Sequence, residues 1–127
     1  MKAEELQIGD WVEYFGEYTK IKELSSVLVL LKGKNKSEYI TELEDIKPIL
    51  ITSEILKKNG FKKSNDPYDS TLTLWLNKTF YVEYLIDNNA IFIFTENYSY
   101  DAYCYYIHEL QQALRLCKIN KKIKLCE

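Results

Sequence analysis

Thr71–Thr95 reads TLTLWLNKTFYVEYLIDNNAIFIFT, and this stretch decides the fold class. From Thr71 to Leu76, the residues Leu72, Leu74 and Leu76 alternate with Thr71, Thr73 and Trp75. From Thr79 to Ile86, the residues Phe80, Val82, Tyr84 and Ile86 alternate with Tyr81, Glu83 and Leu85. Ala90 to Thr95 is a third apolar run. A period of two in β-branched and aromatic residues is a strand signal. Asn77-Lys78 and Asp87-Asn88-Asn89 are too short for a crossover, so the three strands form an antiparallel meander. Both faces of this meander are rather apolar. One is expected to carry a helix, and the other to meet a barrel formed by the first fifty residues or a partner.

Helices flank the meander. Thr52-Ser53-Glu54 opens one, with a hydroxyl cap and an acid in the first turn. Asn59-Gly60 stops it, and Phe61 is placed to fold back in a Schellman-type end. After the meander, the spacing predicts a helix over Tyr103–Cys117. One face holds Tyr103, Tyr106, Ile107, Leu110, Ala113, Leu114 and Cys117, and is expected to pack on the sheet. Tyr105, Glu109, Gln112 and Leu116 form a second row, which reads first as isolated exposed residues and otherwise as a small docking surface. The tail from Ile119 to Leu125 sets Ile119, Lys121, Ile123 and Leu125 against Asn120, Lys122 and Lys124 and reads as an edge strand guarded by lysines.

The first fifty residues have a different rhythm. Gly9-Asp10 is turn chemistry, and Trp11 to Phe15 suits a pleated surface. Gly16-Glu17 reverses the chain into Tyr18–Leu24, with Tyr18, Lys20, Lys22 and Leu24 on one face and Thr19, Ile21 and Glu23 on the other. Val27–Leu31 is a buried strand by length. Lys32-Gly33-Lys34-Asn35-Lys36-Ser37 is a basic hairpin loop, and Glu38–Thr41 returns. Leu43–Ile46 is one helical turn. Lys47-Pro48-Ile49 is extended, because proline disfavours helix before it. This succession resembles SH3-like barrels, whose entry often carries apolar-x-x-Gly-Asp-x-Val. The expected fold is therefore α+β: an SH3-like small β-barrel over residues 1–49, then a three-stranded meander with two helices over 50–127. The two regions are expected to pack as one compact unit.

Composition bounds the function. The 127 residues include 17 basic and 19 acidic side chains, a formal net charge of -2, with 11 Tyr, 5 Phe, 2 Trp and a single His. This excludes a generally basic nucleic-acid binder and leaves local basic patches open. Charge is uneven: residues 65–109 carry one Lys against seven acids, while 110–127 carry five basic residues and one acid. Both stretches read first as solvated faces. The opening residues show no signal-peptide pattern, and the longest aliphatic run is far short of the roughly 20 residues of a membrane span. Three cysteines, Cys104, Cys117 and Cys126, with no close pair, argue against a disulfide scaffold. The expected location is the cytoplasm.

Two chain ends carry a family resemblance. Met1-Lys2-Ala3-Glu4-Glu5-Leu6, then Ile8-Gly9, an aromatic and Val12, is similar to the opening of an uncharacterised family of small bacterial and prophage proteins. Leu43-Glu44-Asp45-Ile46-Lys47-Pro48-Ile49, Gly60-Phe61 and Tyr106-Ile107-His108-Glu109-Leu110-Gln111-Gln112 fit that family's later segments. Glu109 and Ala113 depart from its closing helix, as does the tail from Lys118. The resemblance implies an architecture and a mobile-element setting, and it carries no catalytic residue.

Candidate chemistry is sparse. Cys104 and His108 are spaced i, i+4, so on a continuous helix they share a face and form a candidate thiol–imidazole pair. No third orienting group accompanies them, and a surface His beside a packing Cys is the plainer reading. A zinc site from Cys104, His108 and Cys117 fails, because nine helical residues separate the last two by about 13 Å. Cys126 offers no defined approach to it. Glu83 stands among aromatics and is the acid expected to be partly buried. The glycines are scattered turn residues rather than a phosphate loop. The expectation is thus no catalytic, cofactor or metal site and no enzyme, but a module that binds a protein partner or a second copy. Its surface is expected among Trp11, Tyr14, Tyr18, Lys34, Lys36, Trp75, Tyr105 and Leu116. The alternative is nucleic-acid binding by Lys32, Lys34 and Lys36 with Trp11 and Tyr14. No membrane partner is expected.

Overall fold

Trp11–Tyr14 (β1) pairs antiparallel with Glu17–Leu24 (β2) across a two-residue turn, Phe15-Gly16, both at positive φ. A computed structural model describes residues 1–125, and the chain is an α+β fold with two sheets and two helices. It divides into two units: residues 1–50, 106–112 and 125, and residues 51–105 and 113–124.

In the first unit, β2 is followed by Leu28–Lys32 (β3), Glu38–Glu42 (β4) and Ile46–Lys47 (β5), in the spatial order β4-β3-β2-β1-β5. A single 3-10 turn, Leu43–Asp45, precedes β5. The sheet curls because β2 bulges. Ile21 lies opposite Leu31 but Glu23 opposite Leu30, so Lys22 is the extra residue. A bulge bends its strand and breaks the two-residue alternation. The alternation places Leu24 opposite Thr19 and Ile21. The bulge instead turns Leu24 inward, where it packs against the cluster of Leu6, Val12, Ile21, Val29, Leu31, Leu43 and Ile46. At Gly33 a Cβ would run into the Glu17 carboxylate and lie 2.9 Å from the Tyr39 ring, so a side chain there would push the Glu17 carboxylate aside.

The second unit starts with the helix Ser53–Lys58 (α1). Thr52 Oγ1 accepts the Ile55 N–H at 3.2 Å, the expected cap. At the other end, Phe61 N–H donates to Leu56 O at 3.0 Å and Gly60 N–H to Lys57 O at 3.2 Å. Gly60 has φ +93°, so this is the Schellman stop. Its sheet is longer than the three expected strands. Thr71–Trp75 (β7), Tyr81–Leu85 (β8) and Ala90–Phe94 (β9) are joined by Lys62–Lys63 (β6) and Ser99–Tyr103 (β10), in the order β10-β9-β8-β7-β6. Leu72, Val82, Tyr84, Ile91 and Ile93 are buried on one face. Leu56, Phe61, Cys104, Ala113, Leu114, Cys117 and Ile123 are the unit's other buried apolar residues among those described.

β10 displaces the start of the last helix. Ser99-Tyr100-Asp101-Ala102-Tyr103 has a period of two as well as tyrosines at helical spacing, and pairing with β9 wins. The helix Ile107–Leu116 (α2) begins four residues later than Tyr103. The Glu109 side chain accepts the Tyr106 N–H at 3.0 Å, half of a capping box. Tyr103 therefore leaves the expected helix face and is 75% exposed. The tail forms no strand up to Leu125; Lys124 is held instead by the Asn59 side chain. No helix among the described residues is long and apolar enough to cross a membrane.

Candidate functional site

The second sheet leaves one face open, and strand register lines up its side chains. Trp75 lies opposite Tyr81, Tyr81 opposite Phe94 and Phe94 opposite Ser99. The rings form a continuous row: Trp75 to Tyr81 is 5.2 Å between centroids, and Tyr81 to Phe94 is 5.7 Å. Phe80 extends it, 6.0 Å from Phe94. Lys62, Thr73, Glu83, Phe92 and Asp101 make the next row. Trp75 is 58% exposed, and Phe92 and Phe94 are more than 40% exposed. Aromatic rings packed against one another hold each other in place, so a partner immobilises little on contact. Sequence reading singled out Trp75 here and missed Tyr81, Phe92, Phe94 and Tyr103. Their alternation was legible, but nothing local says which face of a two-sided apolar strand is left bare.

The other expected surface residues do not gather in one place. Trp11 is buried, a correction to its expected exposure. Its N–H donates to Gln111 Oε1 at 2.8 Å, and the Lys20 ammonium lies over its ring at 5.0 Å. Tyr14 is half-buried between Phe15 and Tyr39, with centroids at 4.6 and 5.1 Å. Tyr18 is half-buried on β2. Lys34 and Lys36 are exposed on the β3–β4 connection. The Glu17 carboxylate sits inside that hairpin, accepting the Lys34 N–H and the Tyr39 hydroxyl at 3.1 Å each. An acid therefore occupies the middle of the lysine loop, and the buried Trp11 is withdrawn from base stacking. Leu116 is exposed on α2, whereas Tyr105 precedes that helix and does not share its face. Phe15, unremarked in the sequence beyond its strand, is 80% exposed at φ +46°, a strained position for a bulky residue.

Comparison with protein-family models, with curated proteins and with solved structures finds no match.

Within the first unit, side-chain hydrogen bonds join residues 5–11 to α2. Gln111 Oε1 accepts from Trp11 N–H, and its Nε2 donates to Gly9 O at 3.0 Å. Gln112 Nε2 donates to Asp10 Oδ2 at 2.7 Å and to Glu5 O at 2.9 Å. Asp10 is fully buried and also accepts the Gln7 N–H at 2.8 Å. These glutamines act as backbone clamps.

Cys104 lies between β10 and α2, so helical i, i+4 spacing does not join it to His108. Its N–H donates to Asn89 O at 2.7 Å, and its carbonyl accepts the buried Tyr84 hydroxyl at 2.6 Å. Burial pushes the Cys117 thiol up, which keeps it protonated. Cys126 lies outside the described residues. Among these, no three His, Cys, Asp or Glu side chains are arranged to hold a metal ion. An open groove of about 630 Å³ in the first unit is lined by Met1, Val27, Leu28, Glu42 and Glu44. There Glu44 holds the Glu42 carboxyl above its usual range.

His108 is 4% exposed, stacks on Tyr106 at 5.8 Å, and its Nδ1 has no hydrogen-bond partner among the described residues. Burial lowers its pKa, although Asp10, Glu109 and Glu5 pull the other way. Below the ordinary histidine value near 6.5, the unfolded chain takes a proton that the folded chain refuses. Stability is therefore fully present above that value and falls as pH drops towards the lowered folded value. Urea unfolding at a series of pH values is expected to show this slope, and His108→Gln to flatten it. Equal slopes in both proteins would refute the assignment.

Proposed function

We propose that this chain is a non-catalytic protein-binding module and that the open face of the second sheet is its contact surface. One observation carries the reading: Trp75, Tyr81 and Phe94 stand in ring contact, flanked by exposed Phe92 and Tyr103. Aromatic residues supply large contact area at low entropic cost and dominate interface energies. The first unit reads as an SH3-like small barrel, supported by the order β4-β3-β2-β1-β5 and the 3-10 turn before β5. Acids favour a partner over nucleic acid at the proposed surface, since Glu83 and Asp101 lie on that face.

A photo-crosslinking side chain at Phe92, used in the native cell, tests the reading. It is expected to give one discrete adduct with a different protein, while the same group at Lys57 on α1 gives none. No adduct from either Phe92 or Trp75 overturns the reading. An adduct between two copies of the chain replaces it with self-association.

A further inference from the structure

The two edges of the second sheet differ in kind. β6 is two residues long, and both are exposed lysines. Short strands and lysines keep neighbours off an edge. β10 is five residues long and holds neither lysine nor proline, and no strand lies beyond it among the described residues.

Register fixes what β10 offers. Thr95 N–H donates to Tyr98 O at 2.8 Å, and Cys104 N–H donates to Asn89 O at 2.7 Å. Bonded pairs alternate along an antiparallel ladder, so Tyr100 and Ala102 are the β10 residues bonded to β9, opposite Ile93 and Ile91. The N–H and C=O groups of Ser99, Asp101 and Tyr103 therefore point away from β9. The side chains of the same three residues are exposed on the open face, in register with Phe94, Phe92 and Ala90.

We propose that β10 is a docking edge at which an extended segment of a different protein adds as a further strand, with a lysine or arginine opposite Asp101. The inference rests on the reading of the open face as a contact surface and names what that surface receives. An added strand satisfies the outward groups of Ser99, Asp101 and Tyr103, and lays every second side chain beside theirs, at the end of the rows that hold Phe94 and Phe92. Charge selects the partner. The acids of this face are Asp101 and Glu83, while Lys62 stands at the opposite edge. A cation opposite Asp101 gains an ion pair, with Phe92 one strand further in on the same row. A second copy is the poorer occupant: antiparallel self-pairing over the whole of β10 sets Asp101 against Asp101, and like charges directly opposite destabilise.

Selection of random displayed peptides on the full chain supplies the probe. The expected winners are proline-free, alternate in polarity and carry Lys or Arg at one face position. On adding a selected peptide, the amides of Ser99, Asp101 and Tyr103 are expected to become protected from hydrogen exchange. Those of Tyr100 and Ala102, already bonded to β9, change little. Ser99→Pro removes one outward N–H and leaves the β9 ladder whole, and is expected to weaken binding about fivefold or more. Asp101→Lys, a surface change, is expected to weaken a basic peptide about two- to fivefold. Proline-rich or acidic winners, no winners, or no alternating protection overturn the proposal. If Trp75→Ala with Phe94→Ala abolishes binding but neither edge variant matters, strand addition fails while the face reading stands. If the aromatic pair also has no effect and Phe92 gives no adduct, both fail.

Discussion

Gln111→Ala is expected to destabilise the fold by about 2–4 kcal/mol, the cost of losing two hydrogen bonds and leaving two protected backbone groups unpaired. The side chain is 8% exposed and binds from both ends, accepting from Trp11 N–H at 2.8 Å and donating to Gly9 O at 3.0 Å. Its orientation is fixed, because a flipped amide would face a donor with a donor and a carbonyl with a carbonyl. Gln111→Leu separates polarity from packing. It keeps the bulk but satisfies neither backbone group, so it is expected to recover little of the loss. Gln111→Glu keeps the acceptor for Trp11 N–H, loses the donor to Gly9 O and places a second carboxylate near buried Asp10, so it is expected to fall below wild type too. Urea midpoints for the three variants, with amide exchange at Trp11 as the local readout, check this. A loss below about 1 kcal/mol in Gln111→Leu would mean that water or a small backbone shift replaces the clamp.

The same residue shows where sequence reading ends. Signals that act within one turn were legible. Thr52 caps α1, Gly60 stops it at φ +93°, and Gly16 closes the first hairpin, because each depends on neighbours two to four residues away. Gln111 acts across 100 residues of chain, and its period on α2 alone marks it only as a polar residue near an apolar stripe. The fate of the two tryptophans was equally hidden. Trp11 and Trp75 both sit in strands of alternating residues, yet one is 8% and the other 58% exposed. Alternation sorts side chains into two faces without saying which face receives a cover. A single extra residue can reverse the assignment, as Lys22 does in β2. At β10 two periods were present in the same tyrosines, and the choice between them was made by β9, which local spacing does not contain. The candidate site was therefore legible as an aromatic surplus on a meander, with one of its rings named. Its extent depended on which strand ended the sheet.

Asn59→Asp is expected to be more disruptive than Asn59→Ala, although it changes one atom. Asn59 is 3% exposed at the C-terminal end of α1. Its Nδ2 donates to Ile55 O and Lys124 O at 2.9 Å each, while its Oδ1 accepts the Lys124 N–H at 2.7 Å. Alanine removes three bonds and exposes their partners to partial rehydration, a loss of about 1–3 kcal/mol. Aspartate keeps the bond from Lys124 N–H but aims a buried negative charge at two carbonyl oxygens and at the negative end of the helix dipole. The charged form is disfavoured by every one of these, so the folded carboxyl holds its proton to higher pH than the unfolded one. Between those two values the folded variant binds more protons, and its stability must fall as pH rises. The slope is opposite in sign to that expected from His108 in the parent protein. Chemical unfolding between mildly acidic and neutral pH distinguishes them: Asn59→Asp should gain relative to Asn59→Ala as pH falls. A constant difference between the two variants across that range would show that the introduced aspartate turns out to solvent.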